Sequence, residues 1–357
     1  MGKNKRIAII GHFGGNENIL DGQTIKTKIL YDELKNATDW DIRKVDTYYK
    51  RKKPIKLLIE SIITLISTRD VLVLLSGNGM KLYFPLLSFF ARVFGTRVYH
   101  DVIGGNLDTY VKKYPKYQKY LYSFKVNWVE TLSLKKKLEQ CGVNNCEIMP
   151  NFKRLDITKT EKREYRKPFR FCIFSRVMKE KGVEEAINSI EDINMNAGQV
   201  LCSLDIYGRI DDTYNKRFEE LLNNSTSAIQ YKGMVSYDKS VEAIDNYYAL
   251  LFPTYWRGEG FPGTIIDAFS AGLPVIATNW NCNGEIVENE KNGILYPNSE
   301  IEDLKNAIEW MINNVSKVNQ MREYCIETAK VYQPDAYIAK IIDIISTNEG
   351  IRCDEKS

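Results

Sequence analysis

The stretch RGEGFPGTIIDAFSAGLPVIATN, residues 257–279, indicates the fold class, because a turn, a helix, a second turn and an apolar strand follow one another in it. Glycines and a proline surround Glu259, and Thr264 then predicts the cap of a helix that runs to about Ala271. Gly272 ends that helix, and a proline two residues later prevents it from resuming. A helix followed directly by a buried strand is the repeating unit of an open α/β sheet.

Similar units on both sides of this stretch form two series. The strand candidates are RIAIIG (6–11), VLVLLSGNG (71–79), TRVYHDVIGG (96–105) and KVNWVETLS (125–133), and then FRFCIFSRV, SLDIYGR, AIQYKGMV, ALLFPT and LPVIATN. A charged segment with few apolar residues, 153–170, separates the series. A chain of 357 residues exceeds one ordinary core. We therefore predict two doubly wound, Rossmann-like α/β domains that face each other across a cleft. Their ranges are 1–160 and 161–333, with a C-terminal helix in 334–357 that packs back on the first domain.

Composition excludes several classes of protein. Hydrophobic residues make up 44% and charged residues 27% of the chain, and no apolar run reaches the roughly 18 residues that a membrane span requires. A net charge of +4 is too small to indicate nucleic-acid binding. The seven cysteines include no Cys-x-x-Cys pair, so we expect reduced thiols. The N-terminal apolar stretch is too short for a secretory signal, so we expect a cytoplasmic protein.

Ligands of open parallel sheets bind beyond the carboxyl ends of the strands, where Glu259 precedes a predicted helix. The amides and dipole of a helix N-terminus attract an anion, usually phosphate. A carboxylate does not bind phosphate, but it accepts hydrogen bonds from hydroxyls. A phosphate site beside a carboxylate that binds hydroxyls indicates a nucleotide sugar. Arg176 and Lys181, near another strand end, would supply the counter-charge for a diphosphate leaving group.

The motifs FSRVMKEKG, YKGMV, FPTYWRGEGFPGTIIDAFSAGLPVIATN and GEIVENEKNGILYP resemble those of glycosyltransferase family four in order and spacing, over most of residues 170–298. GHFGGNENILDGQTIKTKIL, HDVIGG and EIMPNF resemble the acceptor-binding half of the same family, with features of capsule or exopolysaccharide transferases. The resemblance implies the GT-B fold and retaining, metal-independent sugar transfer. The donor would be a nucleotide sugar, with a UDP-sugar favoured, and the acceptor a glycan or lipid-linked saccharide in surface polysaccharide synthesis.

The resemblance also implies site residues. Arg176 and Lys181 would stabilise the departing diphosphate, while Glu259 and His100 would orient the sugar, so these four form the predicted catalytic set. In the family, a second Glu eight positions after the first binds ribose, and here that position is Asp267, whose side chain is one methylene shorter. The predicted donor-binding residues are Gly14, Gly15, Gly208, Gly233, Met234, Gly260, Phe261, Gly263, Thr264 and Asp267. No metal ligand is predicted.

Several of these residues have a structural alternative. Asp267 completes a capping box with Thr264, which is as well supported as ribose binding. His100 is a lone histidine at a strand end, and such histidines are often structural. Arg176 and Lys181 could form a solvated pair, and Gly14 and Gly15 could be plain turn formers.

Two features of the first half have open interpretations. Residues 50–67 and 81–97 combine basic residues with an apolar face, as interfacial helices on an anionic leaflet do, but crossover helices packed on the sheet explain them equally well. Asp39 and Asp41 resemble a metal-binding Asp-x-Asp motif, but we expect a surface turn. Two other functions also stay open, a nucleotide-sugar 2-epimerase of the same fold and a non-catalytic nucleotide-sugar-binding subunit.

Overall fold

A computed structural model of the protein describes residues 5–17, 21–157, 164–297 and 301–347. Contacts divide the chain into unit 1, Met1–Lys153 with Gln333–Ser357, and unit 2, Arg154–Tyr332. Each unit contains a six-stranded parallel sheet between helices, which confirms the predicted pair of doubly wound α/β folds. The domain boundary that we placed after residue 160 lies outside the described residues.

Unit 1 begins with alternating strands and helices. They are β1 (Arg6–Gly11), α1 (Gly22–Ala37), β2 (Asp41–Asp46), α2 (Pro54–Ser67), β3 (Asp70–Leu74), α3 (Gly77–Phe94), β4 (Arg97–Asp101), α4 (Leu107–Lys113), α5 (Lys116–Tyr122), β5 (Val126–Val129), α6 (Leu132–Gln140) and β6 (Cys146–Ile148). The strand order is β2-β1-β3-β4-β5-β6. Asp39 lies in the short link between α1 and β2, whereas Asp41 is the first residue of β2 and its carboxylate accepts a hydrogen bond from Nε of Arg6 at 2.6 Å.

The strands of unit 1 are apolar on both faces because helices cover both sides of the sheet. In β1, Ala8 and Ile10 join a core cluster with α2 and α3, whereas Ile7 and Ile9 join a second cluster with α1. Since side chains alternate across a strand, neighbours in sequence lie in different cores.

Unit 2 repeats the architecture. Its elements are β7 (Phe169–Phe174), α7 (Val183–Ala197), β8 (Cys202–Tyr207), α8 (Asn215–Asn224), β9 (Ile229–Gly233), α9 (Ser240–Ile244), β10 (Ala249–Phe252), α10 (Gly263–Ser270), β11 (Val275–Thr278), α11 (Asn283–Ile286), β12 (Gly293–Tyr296), α12 (Ile301–Asn313) and α13 (Val315–Val331). The strand order is β12-β11-β10-β7-β8-β9. The order reverses between β10 and β7, and ligands of such sheets bind at this switch point.

After unit 2 the chain returns to unit 1 as α14 (Pro334–Thr347). Ile338, Ile341 and Ile345 of α14 are buried in the same cluster as Ile7 and Ile9. Their spacing places them on one helix face, so α14 completes the layer that α1 begins. The rest of the predicted C-terminal segment, 348–357, lies outside the described residues.

Candidate functional site

The switch point of unit 2 is built from the loops after β7 and β10. The loop after β7 carries Arg176 and a 3-10 turn that ends at Lys181, and the loop after β10 carries Glu259. Gly182 has a φ of +73°, and a Cβ there would lie 2.2 Å from the carbonyl oxygen of Pro253. Only glycine lets the two loops approach this closely, and that approach brings Lys181 to Glu259.

Lys181 and Glu259 form a buried ion pair. Nζ of Lys181 lies 2.5 Å from Oε2 of Glu259, and the side chains are 9% and 8% exposed. Thr254 donates its hydroxyl to the same oxygen at 2.9 Å. The ammonium also lies 5.4 Å and 5.3 Å from the ring centroids of Phe252 and Trp256. Burial strengthens these interactions, so both charged groups are held in place before any ligand binds.

Arg176 occupies a different environment from Lys181. Its side chain is 50% exposed, and Nη1 lies 3.9 Å from Oδ2 of Asp211, too far for a hydrogen bond. The structure therefore brings Lys181 and Glu259 into contact and directs Arg176 towards Asp211. Solvent exposure leaves the guanidinium accessible to an anion at the end of β7.

Helix α10 begins at Gly263, with Pro262 as its cap residue and no side-chain cap. The predicted cap by Thr264 is wrong, because its hydroxyl donates to the carbonyl oxygen of Phe174 at 2.7 Å. That bond ties the start of α10 to the end of β7. Without its cap residue the capping-box alternative for Asp267 fails, and ribose binding by the buried Asp267 stays a prediction.

The glycines after β8 and β9 shape the adjoining edge of the sheet. Gly208 has a φ of +136°, and a Cβ there would lie 1.8 Å from the carbonyl oxygen of Ser175. Its amide donates to the carbonyl oxygen of Gly233 at 2.9 Å. Met234 follows β9 with an exposed side chain. The loops after β7, β8 and β9 are thus packed backbone to backbone, which leaves Met234 at their rim.

The remaining predicted donor residues lie between Glu259 and α10. The carbonyl oxygen of Gly260 accepts a hydrogen bond from the Sγ thiol of Cys282 at 3.1 Å. The ring of Phe261 is nearly buried, 5.2 Å from the ring of Tyr332. Gly263 is the first residue of α10. Phe261 therefore anchors the turn between Glu259 and α10 in the core of unit 2.

In unit 1, Gly14 and Gly15 follow β1 with φ values of +86° and +60°. The carboxylate of Asp46, the last residue of β2, accepts the amides of Phe13 and Gly15 at 2.8 Å each. A Cβ on Gly15 would lie 2.7 Å from the ring of Tyr48. Because Asp46 already binds loop amides, this geometry favours the turn-forming alternative, and contact with a diphosphate stays a prediction.

His100 lies fully buried on the α3 side of β4. Its ring centroid is 5.0 Å from that of Phe84 and 5.9 Å from that of Phe124. Asn127 donates its amide to the carbonyl oxygen of Leu121, so its Oδ1 accepts from Nδ1 of His100 at 3.0 Å. This placement favours the structural alternative, and donor contact by His100 stays a prediction.

The buried imidazole predicts a pH dependence of stability. Burial lowers the pKa of His100 from 6.5 to about 4. Between these values the unfolded chain binds a proton that the folded protein does not. The free energy of unfolding should therefore fall by about 3 kcal/mol from pH 6.5 to pH 4 on account of His100. Urea unfolding of His100→Asn, which retains a donor to Asn127, should show a shallower decline, and parallel curves for the two proteins would contradict the assignment.

The sequence reasoning missed a second charged cluster, in unit 1. Nζ of Lys26 lies 2.7 Å from Oδ1 of Asp101 and 2.8 Å from Oε1 of Glu130, and all three side chains are buried. Burial raises the pKa of Asp101 to about 6. Burial alone would lower the pKa of Lys26, but the two carboxylates outweigh it and raise that pKa. Asp101 ends β4 and Glu130 directly follows β5, and that position was the signal that could have identified them.

Comparisons with known proteins agree with this fold. The family model described as "Glycosyl transferases group 1" matches residues 156–348, more than half of the chain. An uncharacterized glycosyltransferase of Methanocaldococcus jannaschii is 25% identical over 197 residues, 53% of this chain and 48% of the relative. The chain thus aligns with about half the length of this curated relative.

Solved structures resemble the chain over nearly its whole length. Sucrose-phosphate synthase from Thermosynechococcus elongatus has a TM-score of 0.79 at 15% identity, covering 98% of this chain and 100% of that one. Anabaena HepE in complex with UDP and glucose has a TM-score of 0.71 at 12% identity, covering 96% and 100%. At these identities the likeness establishes the fold alone, and that fold is GT-B.

Proposed function

Because the chain belongs to the group 1 glycosyl transferases, we propose that it transfers a sugar from a nucleotide-sugar donor to a saccharide acceptor. The acceptor is a glycan or a lipid-linked saccharide in surface polysaccharide synthesis. Transfer retains the anomeric configuration and needs no divalent metal. A UDP-sugar is the first donor to test, since UDP and glucose are bound in the similar HepE structure.

The observation that carries this proposal is the buried Lys181–Glu259 pair at the switch point of unit 2. A carboxylate there can accept hydrogen bonds from sugar hydroxyls, and the adjacent ammonium can attract the diphosphate oxygens. The exposed Arg176 and the N-terminus of α10 lie at neighbouring strand ends and add positive potential. Together these groups fit a ligand with a diphosphate at one end and a polyol at the other.

The proposed reaction depends on charge that develops as the donor bond breaks. The bond from the anomeric carbon to the diphosphate oxygen breaks, and Lys181 and Arg176 stabilise the departing diphosphate. Glu259 holds the sugar as it becomes oxocarbenium-like. The acceptor hydroxyl attacks from the leaving-group face, and a phosphate oxygen takes its proton. The new glycosidic bond therefore has the same anomeric configuration as the donor.

A donor screen tests this function. Thermal unfolding is measured with UDP-, GDP- and ADP-sugars, and the ligand that binds the native state should raise the unfolding temperature. That donor is then incubated with candidate acceptors, with and without a chelator, and nucleoside diphosphate release is followed. We expect release that requires acceptor and resists the chelator. A new sugar nucleotide formed from donor alone would instead identify an epimerase, and binding without release would identify a non-catalytic subunit.

A further inference from the structure

The outer faces of α2 and α3 expose large apolar side chains. We name them the α2–α3 face, and each of its side chains is more than 40% exposed: Ile55, Leu58, Ile59, Ile63 and Ile66 on α2, and Leu82, Phe89, Val93 and Phe94 on α3. The helices touch on their inner sides, where the buried hydroxyls of Ser61 and Tyr83 are 2.9 Å apart. Neighbouring helices therefore present apolar surface to the outside of unit 1.

The exposed side chains of α2 follow the helical period. Ile55, Ile59, Ile63 and Ile66 recur every three or four residues, so they form a stripe along the helix. The opposite side of α2 packs into the core, where Leu57 and Leu65 are buried. The crossover-helix interpretation thus explains the inner face alone. Large exposed apolar side chains grouped along one helix face mark an interaction site rather than ordinary surface, so this face fits an apolar partner.

Basic side chains border the α2–α3 face. Lys50, Arg51, Lys52, Lys53 and Lys56 lie before or within the first turn of α2, and Lys81 and Arg92 lie on α3. Glu60 is the one acidic residue among the described positions of these two helices. Apolar side chains flanked by lysines and arginines match the boundary between acyl chains and anionic headgroups. A symmetric contact with a second copy would instead bring like charges together.

We propose that the α2–α3 face docks unit 1 on a bilayer that contains anionic lipid. The helices lie in the interface with their apolar stripes in the acyl boundary and their cations among the headgroups. Across the described residues, no helix has both the length and the apolarity to cross a membrane. The attachment is therefore interfacial, and it goes beyond the transfer reaction because it involves no donor residue.

Vesicle sedimentation tests the proposal. The full chain is mixed with phosphatidylcholine vesicles, with or without about one third phosphatidylglycerol, and we expect at least tenfold stronger binding to the anionic vesicles. Replacing both Ile59→Glu and Ile63→Glu should weaken that binding by about tenfold or more, because charge cannot enter the acyl boundary. The matched control changes Met195→Glu and Val200→Glu, exposed apolar residues of unit 2, and should bind as the wild type does.

A second measurement avoids dependence on charged variants. The fluorescence added by Ile63→Trp should be quenched by brominated anionic lipid, whereas that added by Met195→Trp should not. If the Ile59→Glu, Ile63→Glu protein binds anionic vesicles as strongly as the wild type does, the proposal is overturned. It is also overturned if the wild-type protein does not bind anionic vesicles more strongly than neutral ones. A wild-type protein that forms a dimer and binds no vesicles would also overturn it, if the Ile59→Glu, Ile63→Glu variant is a monomer. Donor binding should be unchanged in these variants, so failure here is distinct from failure of the proposed transfer.

Discussion

Lys181→Ala is expected to lower kcat for sugar transfer by about 10²-fold or more, on the scale of losing a preorganised charge-stabilising donor. The ammonium stabilises negative charge on the leaving diphosphate, and its removal also leaves Glu259 buried without the cation that now lies 2.5 Å away. Steady-state kinetics of nucleoside diphosphate release, at saturating donor and acceptor, measures the effect.

The matched control is Lys179→Ala, an exposed lysine in the same 3-10 turn, which should leave kcat unchanged. A double variant, Lys181→Met with Glu259→Gln, separates chemistry from structure. It removes the buried charges as a pair, so it should fold well and still be inactive. Wild-type turnover in either Lys181 variant would end the proposed role.

The sequence predicted the strands of both units well, because strands that are buried on both faces of a sheet appear in the sequence as continuous apolar runs. The run RIAIIG coincides with β1, and the order of units along the chain indicated doubly wound sheets. It predicted glycine-rich turns less well. The strand candidate VLVLLSGNG extended to residue 79, but β3 ends at Leu74 and α3 begins at Gly77. A Cβ on Gly77 would lie 2.4 Å from the hydroxyl of Tyr110, so close packing rather than turn geometry explains this glycine.

The sequence also selected Lys181 and Glu259 but assigned them to different parts of the ligand. They are 78 positions apart, and only the contact of two loops at Gly182 makes them partners. The same limit applies to Thr264, whose hydroxyl donates to the carbonyl oxygen of Phe174, and to Gly15, whose amide donates to the carboxylate of Asp46. Local patterns place residues at strand ends, but tertiary hydrogen bonds decide which groups remain available to a ligand.

Residues that follow one another in a strand show this limit most clearly. The predicted site residue His100 and its neighbour Asp101 end β4, yet they point to opposite sides of the sheet. His100 enters the core beside Phe84, and Asp101 meets Lys26 from α1. The strand pattern predicts that successive side chains alternate between the two faces of the sheet, but it does not predict which face contains a charged partner. Lys26 had no sequence signal beyond its place in an amphipathic helix.

Lys26→Met is expected to destabilise unit 1 by about 3–5 kcal/mol, because it leaves two carboxylates buried without their common cation. Urea unfolding at pH 7 measures the loss. Lys35→Met, an exposed position on the same helix, should change stability by less than about 0.5 kcal/mol. The triple variant that adds Asp101→Asn and Glu130→Gln should recover most of the loss, since no buried charge then remains.

The pH dependence of Lys26→Met distinguishes lost charge from lost packing. Because the pKa of Asp101 is raised to about 6 in the folded protein, its contribution favours folding below pH 3.8 and is lost as the pH rises through 6. Without the ammonium that attracts the ionised form, this pKa should rise further, so the deficit of the variant should be largest at pH 7 and shrink towards pH 4.5. A deficit that is constant across this range would mean that the aliphatic part of Lys26, rather than its charge, stabilises the unit.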